Sequence, residues 1–205
     1  MTGWSIRIYV FCDELLWAAR LNLLWIAFTL LGGVILGIGP ATVAAYAVAR
    51  RHAMGESFHT RREFAAVYRR EFARGSLLVL PLVAAGVILA ADYLYFTATE
   101  AAALRLTTYT ALVALVVVAA HLLPMYVHYD LRPLACLPRA SLFALAHPAG
   151  SVLLLFCLMS VTVAAASFPV LALTLAVGGW IQLNTWLCLR FFAENEARLS
   201  SKGNR

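Results

Sequence analysis

Residues 22–51 read NLLWIAFTLLGGVILGIGPATVAAYAVARR. An apolar run climbs from Asn22 to Gly37 and meets Gly37-Ile38-Gly39-Pro40. It resumes as a run of small residues and stops at Arg50-Arg51. Proline has no amide donor and glycine has no Cβ, so this short stretch reads as a break between two helices. Pro40 suits the first turn of the second helix, where a missing N–H costs nothing. Gly33 and Gly37 stand four apart on the first helix, and Ala41, Ala45 and Ala49 four apart on the second. Small residues at that interval let helix backbones approach closely in lipid. The expected unit is a helical hairpin over 21–51, packed through Gly33, Gly37, Gly39, Pro40, Ala41, Ala45 and Ala49.

The rest of the chain has the composition to surround such a hairpin with lipid. Of 205 residues, 63% are hydrophobic and only 13% are charged, with a mean hydropathy of +0.83. A soluble domain is about 45–50% apolar. Several runs approach the roughly 20 residues that cross about 30 Å of hydrocarbon. The fold class is therefore all-α, a polytopic helical membrane protein with one membrane domain over 1–205. Asp13 and Glu14 precede the first long apolar run and no polar mature domain follows it, so the start does not read as a cleavable signal peptide.

Residues 1–20 carry Ile8, Phe11, Cys12, Leu15 and Ala19 at helical spacing, with Trp4, Tyr9 and Trp17 suited to the headgroup level. They predict an interfacial helix lying on the membrane, with a downward extension of the first span as the alternative. Residues 76–189 predict four further spans. One has Pro81 in its first turn, one is ended by Pro124, and the last two are joined by a turn at Ser167-Phe168-Pro169. The proline-rich stretch 124–148 forms a second surface segment, and 190–205 is a polar tail that frays near its end. The expected count is about six transmembrane segments, or five if the hairpin is a single kinked span. With six, Arg105 is the one basic residue on the outer side; with five, the split is thirteen inside and three outside. Both arrangements place 50–74 on the inner side.

Residues 53–75 are the longest polar stretch. Thr60-Arg61-Arg62-Glu63 has the form of a capping box. Phe64, Tyr68 and Phe72 then recur every four residues, among Arg61, Arg62, Arg69, Arg70 and Arg74. With Arg50 and Arg51 they form a basic amphipathic surface. One reading makes it a docking face for a partner. The other makes it a membrane-surface helix held by anionic lipid, at roughly 1 kcal/mol per basic residue.

Catalytic chemistry has little to start from. Cys12, Cys136, Cys157 and Cys188 are not spaced as a metal or redox pair, and the five histidines are scattered. There is no Gly-X-Ser-X-Gly elbow and no phosphate loop. No catalytic, cofactor-binding or metal residue is expected, and no nucleic-acid partner. A transporter would need polar side chains facing one cavity, and Asn22, Thr29, Gln182 and Asn184 are the candidates.

Asn22-Leu23-Leu24-Trp25, Gly37-Ile38-Gly39-Pro40-Ala41-Thr42, Arg50-Arg51, Gly55-Glu56 and the Phe58…Phe64…Phe72 segment together resemble the YesL family of bacterial membrane proteins. The resemblance is strongest over 20–80. Arginine stands here where lysine is common, and the proline-rich 124–148 segment departs from the pattern. The family has no established biochemical activity, and its members are often encoded beside carbohydrate ABC importers and glycan-degrading enzymes. The resemblance therefore implies a non-enzymatic accessory role in oligosaccharide import and supplies no catalytic residues. It implies a multi-pass protein of the bacterial cytoplasmic membrane; the count of basic residues over six spans puts both termini inside, and the five-span alternative moves the N-terminus outside. The expected partners are the bilayer, its anionic lipid, and ABC importer subunits.

Overall fold

The computed structural model describes residues 3–129 and 133–203. Among them every regular element is helical: α1 (Gly3–Leu31), α2 (Ile35–Ala53), α3 (Thr60–Arg70), α4 (Phe72–Ala98), α5 (Ala102–Tyr129), α6 (Pro133–Ala146), α7 (Pro148–Ser167), α8 (Pro169–Leu171), a π-helical turn (Ala172–Ala176) and α9 (Val177–Gly203). Five stretches are long and apolar enough to cross a membrane: Arg7–Leu31, Phe72–Ala98, Ala102–Tyr129, Pro148–Ser167 and Pro169–Glu194. The chain is an all-α polytopic membrane protein.

The expected sixth apolar span is α2, and it is not one of the five. The hairpin is nonetheless two antiparallel helices rather than a single kinked one. Trp25 Nε1 donates to Thr42 Oγ1 at 3.0 Å, and Trp17 stacks on His52 at 3.9 Å between ring centroids. α2 lies against α1, α3, α4, α5 and α9. Its residues Gly37, Gly39, Pro40, Ala41, Val43, Ala44, Ala45, Tyr46, Val48 and Ala49 are buried. A helix walled in by protein needs small residues that admit its neighbours, not bulky ones that face lipid. That explains both its lower hydropathy and its alanines.

The turn is not at Gly37–Pro40. It lies earlier, at Gly32-Gly33-Val34, where Gly33 and Val34 take the left-handed region with φ +76° and +58°. Gly33 is thus a turn residue, with nothing within 4 Å of where a Cβ would stand. Gly37 and Gly39 sit inside α2 and serve opposite sides of it. A Cβ on Gly37 would lie 2.2 Å from the Thr29 carbonyl oxygen on α1, and one on Gly39 2.7 Å from Gly75 O on α4. Both glycines are therefore points of backbone contact.

Two prolines that read as helix ends lie within helices, because another helix satisfies the carbonyl each one leaves open. Proline removes the hydrogen bond to the residue four before it. For Pro40 that residue is Leu36, and Ser76 Oγ shares its one proton between Leu36 O at 3.1 Å and Phe72 O at 2.7 Å. For Pro124, which does not end α5, it is Ala120. Asn184 Nδ2 donates to Ala120 O at 3.1 Å, with Cys188 Sγ at 3.8 Å. Ser76→Ala removes the first of these donors. It is expected to lower stability by about 1 kcal/mol, read as a drop in the melting midpoint of the detergent-solubilised protein.

Asn22 does the same for a helix defect. At the π turn the regular ladder is interrupted. Val177 N and Gly178 N donate to Asn22 Oδ1 at 3.1 and 3.0 Å, and Asn22 Nδ2 donates to Leu173 O at 2.6 Å. One side-chain amide splices three backbone groups and ties α1 to the last span. Gly178 permits the approach, since a Cβ there would lie 2.2 Å from Ala18 O.

Other boundaries move. Residues 1–20 are not a separate interfacial helix, because α1 is continuous from Gly3 to Leu31. Pro81 lies well inside α4, which begins at Phe72. Of the 124–148 segment, 130–132 lie outside the described residues; the rest comprises the end of α5 and α6, whose Cys136, Ala140 and Ala144 are buried on one face. The tail is helical to Gly203.

Candidate functional site

α3 begins at Thr60 as the spacing predicts, but not through a capping box. His59 is the cap residue, no side chain bonds the first amides, and the Glu63 carboxylate pairs instead with Arg51. Phe64 and Tyr68 turn inward. Phe64 is fully buried, and the Phe28 ring lies 4.9 Å from it and 5.0 Å from Tyr68. Burial pushes the Tyr68 phenol above its ordinary range. The expected lipid-facing aromatic stripe is therefore spent on α1 and α2, and only Phe72, packed edge-on against Tyr68, stays partly exposed. What α3 shows outward is charge: Arg61, Arg62, Arg69 and Arg70 are exposed, and Arg74 follows on α4.

Arg50 and Arg51 leave that outward face. Arg51 binds Glu56 at 2.6 Å and Glu63 at 2.8 Å and lies over the Phe58 ring, so it fastens the α2–α3 connection. Hydrogen bonds donated to Glu56, then to Glu63, hold its guanidinium above the ordinary arginine value. Arg50 Nε donates to His128 Nδ1 at 3.2 Å. Beneath them is Glu71, a carboxylate 5% exposed, which accepts from Tyr126 Oη at 2.8 Å and from Arg70 Nε at 3.1 Å. A cavity of about 150 Å³ is lined by Arg50, Arg51 and Arg70 together with Glu63, Glu71 and Tyr126. The arrangement rigidly seats α3 against the bundle. Its signal in the sequence was two acidic residues, Glu63 and Glu71, inside an arginine-rich run, and the pattern of spacing did not single out Glu71.

A second polar group joins three helices. Glu14 on α1 accepts from Gln182 on α9 and lies 3.2 Å from His52 Nε2 on α2. Neither Glu14 nor His52 stood out in the sequence, because their partners lie 38 and 168 residues away. The four polar residues considered for a solute path are not gathered. Asn22 is committed to the π turn and Asn184 to Tyr46 and Ala120. Thr29 Oγ1 is buried without a partner, and only Gln182 lines the larger cleft. Among the described residues, no three His, Cys, Asp or Glu side chains converge as a metal site would require.

Residues 18–93, from the middle of α1 into α4, match the family described as "Protein of unknown function, DUF624". Over 148 residues the chain is 37% identical to the uncharacterized protein YesV of Bacillus subtilis (strain 168), covering 69% of this chain and 70% of that relative. The chain belongs to the DUF624 family. It is also 28% identical over 148 residues to the uncharacterized protein YesL of the same organism, with 70% and 69% covered. Its match to the uncharacterized protein YteU, also of that organism, is 40% over 87 residues, 42% of this chain and 39% of YteU. No solved structure matches the chain. The family segment contains Asn22, Gly37, Gly39, Gly75 and the whole of α3.

Proposed function

We propose that this DUF624 protein is a non-enzymatic accessory protein of the bacterial cytoplasmic membrane, whose α3 arginine face docks an ABC importer for oligosaccharides. The observation that carries the reading is the division of α3. Its aromatic residues are buried against α1 and α2, and Arg61, Arg62, Arg69 and Arg70 remain outside. A helix that binds a membrane surface by amphipathicity keeps its apolar face free for lipid. Here that face is already occupied, so the exposed guanidinium groups suit the acidic surface of a protein partner. The link to sugar import follows from the genomic company of the family named in the resemblance, and the concentration of arginine on one side supports an inward-facing α3.

The test is co-purification from native membranes. The wild-type protein should bring down permease subunits of an oligosaccharide importer. The charge-reversed variant R61E/R62E/R69E should still enter the membrane and lose that recovery roughly tenfold, as expected when complementary charges are made repulsive. Repeated recovery of no importer subunit by the wild type would refute the reading. Recovery unaffected by charge reversal would assign the arginines to anionic lipid instead.

A further inference from the structure

Between α1, α7, α8, the π turn and α9 lies a cleft of about 720 Å³, with the end of α2 at its edge. That is the size of a small-molecule pocket. Its walls are almost wholly apolar and include Leu15 on α1, Val161 and Ala164 on α7, Leu175 in the π turn and Leu183 on α9. The polar lining is Glu14, His52 and Gln182, with the indole of Trp186. Gln182 stands near the middle of the span Pro169–Glu194, and Glu14 lies within the span Arg7–Leu31. An ionisable side chain inside a span is costly and points to a function.

The contacts fix what hydrogen-bonding capacity is left there. Glu14 Oε2 accepts from the Gln182 amide and from His52 Nε2. Those donors are thus engaged. When a neutral imidazole donates through Nε2, its Nδ1 is an acceptor. Glu14 Oε1, Gln182 Oε1 and His52 Nδ1 have no partner among the described residues. All three are acceptors, and the Glu14 side chain is 46% exposed. The lining holds one carboxylate and no lysine or arginine, in a chain of net charge +6. Arg190 lies over the Trp186 ring, 3.7 Å from its centroid, but is not part of the lining. The complement of such a cleft is a positively charged donor carried on an apolar body. A sugar would find too few partners along these walls, and an anion would meet the charge of Glu14.

We propose that this cleft binds an amphipathic organic ammonium, its N–H groups on Glu14 Oε1 and its hydrocarbon along the α7 and π-turn walls. The charge of Glu14 sets the preference for a cation over neutral or anionic molecules of the same shape. This site is separate from the α3 face and does not depend on importer docking.

The probes are phenylbutylamine, phenylbutanol and phenylbutyrate, which share one apolar body and differ in the head. Each is dialysed to equilibrium against the full chain in phosphatidylcholine nanodiscs and against empty nanodiscs, so that uptake by lipid is subtracted. The wild type should bind the amine roughly tenfold more tightly than the alcohol, the scale of one charge-assisted hydrogen bond, and the acid least. Glu14→Gln keeps an acceptor for His52 and Gln182 and should bind amine and alcohol alike. Gly179 lines the cleft, and a Cβ there would meet nothing within 4 Å. Gly179→Leu should therefore fill the cleft and abolish binding of every probe while the melting midpoint is kept. A wild type that binds the alcohol as well as the amine overturns the proposal and gives the cleft to acyl chains. So does a wild type that takes up no more amine than empty nanodiscs do. A preference for the amine that survives Glu14→Gln, or binding undiminished by Gly179→Leu, overturns it too.

Discussion

Alanine at Gly37 is expected to destabilise the protein by about 3 kcal/mol, at the upper end of the usual cost of overpacking. The added methyl would stand 2.2 Å from the carbonyl oxygen of Thr29 and 3.0 Å from its Cα, so it meets backbone rather than a side chain that can swing away. α2 has little room to retreat, because on its other side Gly39 lies so near α4 that a Cβ there would stand 2.7 Å from Gly75 O and Ser76 Cα. Gly179→Ala is the matched control. It also adds a methyl within a helix, but into open space. There it should be neutral or stabilising by about 0.5–1 kcal/mol, the ordinary gain of alanine over glycine in a helix. Thermal aggregation in detergent, followed by size-exclusion chromatography, separates the two. Equal midpoints would mean that α1 and α2 do not touch at Gly37.

Leucine at Asn22 is expected to cost a further large amount, about 3 kcal/mol. It keeps the branched outline of the side chain and removes every partner that the π turn uses. Two amides and a carbonyl, on Val177, Gly178 and Leu173, are left in an apolar setting. Each unsatisfied group costs about 1–3 kcal/mol. Part of that is recovered if the turn anneals into a regular helix, in which Val177 N can reach Leu173 O directly. Annealing would rotate the segment before Val177 relative to Gly178, which is held against Ala18 O. Asn22→Asp retains the acceptor for both amides and, held protonated by burial, can still donate to Leu173 O, so it should fall between wild type and leucine. A leucine variant that melts with the wild type would show that the amide splice contributes nothing.

These two residues also show where the sequence was readable and where it was not. The hairpin was legible from its apolar run, its small residues and the terminal arginines, and so was the start of α3. The turn was misplaced because glycine and proline were judged by local rules. Gly37 and Gly39 looked like breakers, yet each is small to let another backbone approach, Thr29 from one side and Gly75 from the other. Pro40 and Pro124 looked like helix ends, but Ser76 and Asn184 supply the hydrogen bonds their carbonyls lack. Those donors lie 40 and 64 residues from the carbonyls they serve. No window short enough to show helical periodicity contains both ends of such a pair.

The candidate sites divide along the same line. The arginines of α3 were legible as a charged face, because charge stays outside whatever the neighbours are. That Phe64 and Tyr68 face inward was not, since an aromatic stripe looks the same whether lipid or protein covers it. Composition alone determined that this chain is a helical membrane protein, because the free energy of moving apolar groups out of water adds up residue by residue. Only the tertiary structure decided where α1 turns into α2, which helix lies in the middle, and that Glu14, His52 and Gln182 meet at one cleft. Those outcomes depend on backbone and side-chain polar groups finding partners from distant parts of the chain, and in an apolar medium an unmet partner costs too much to leave open.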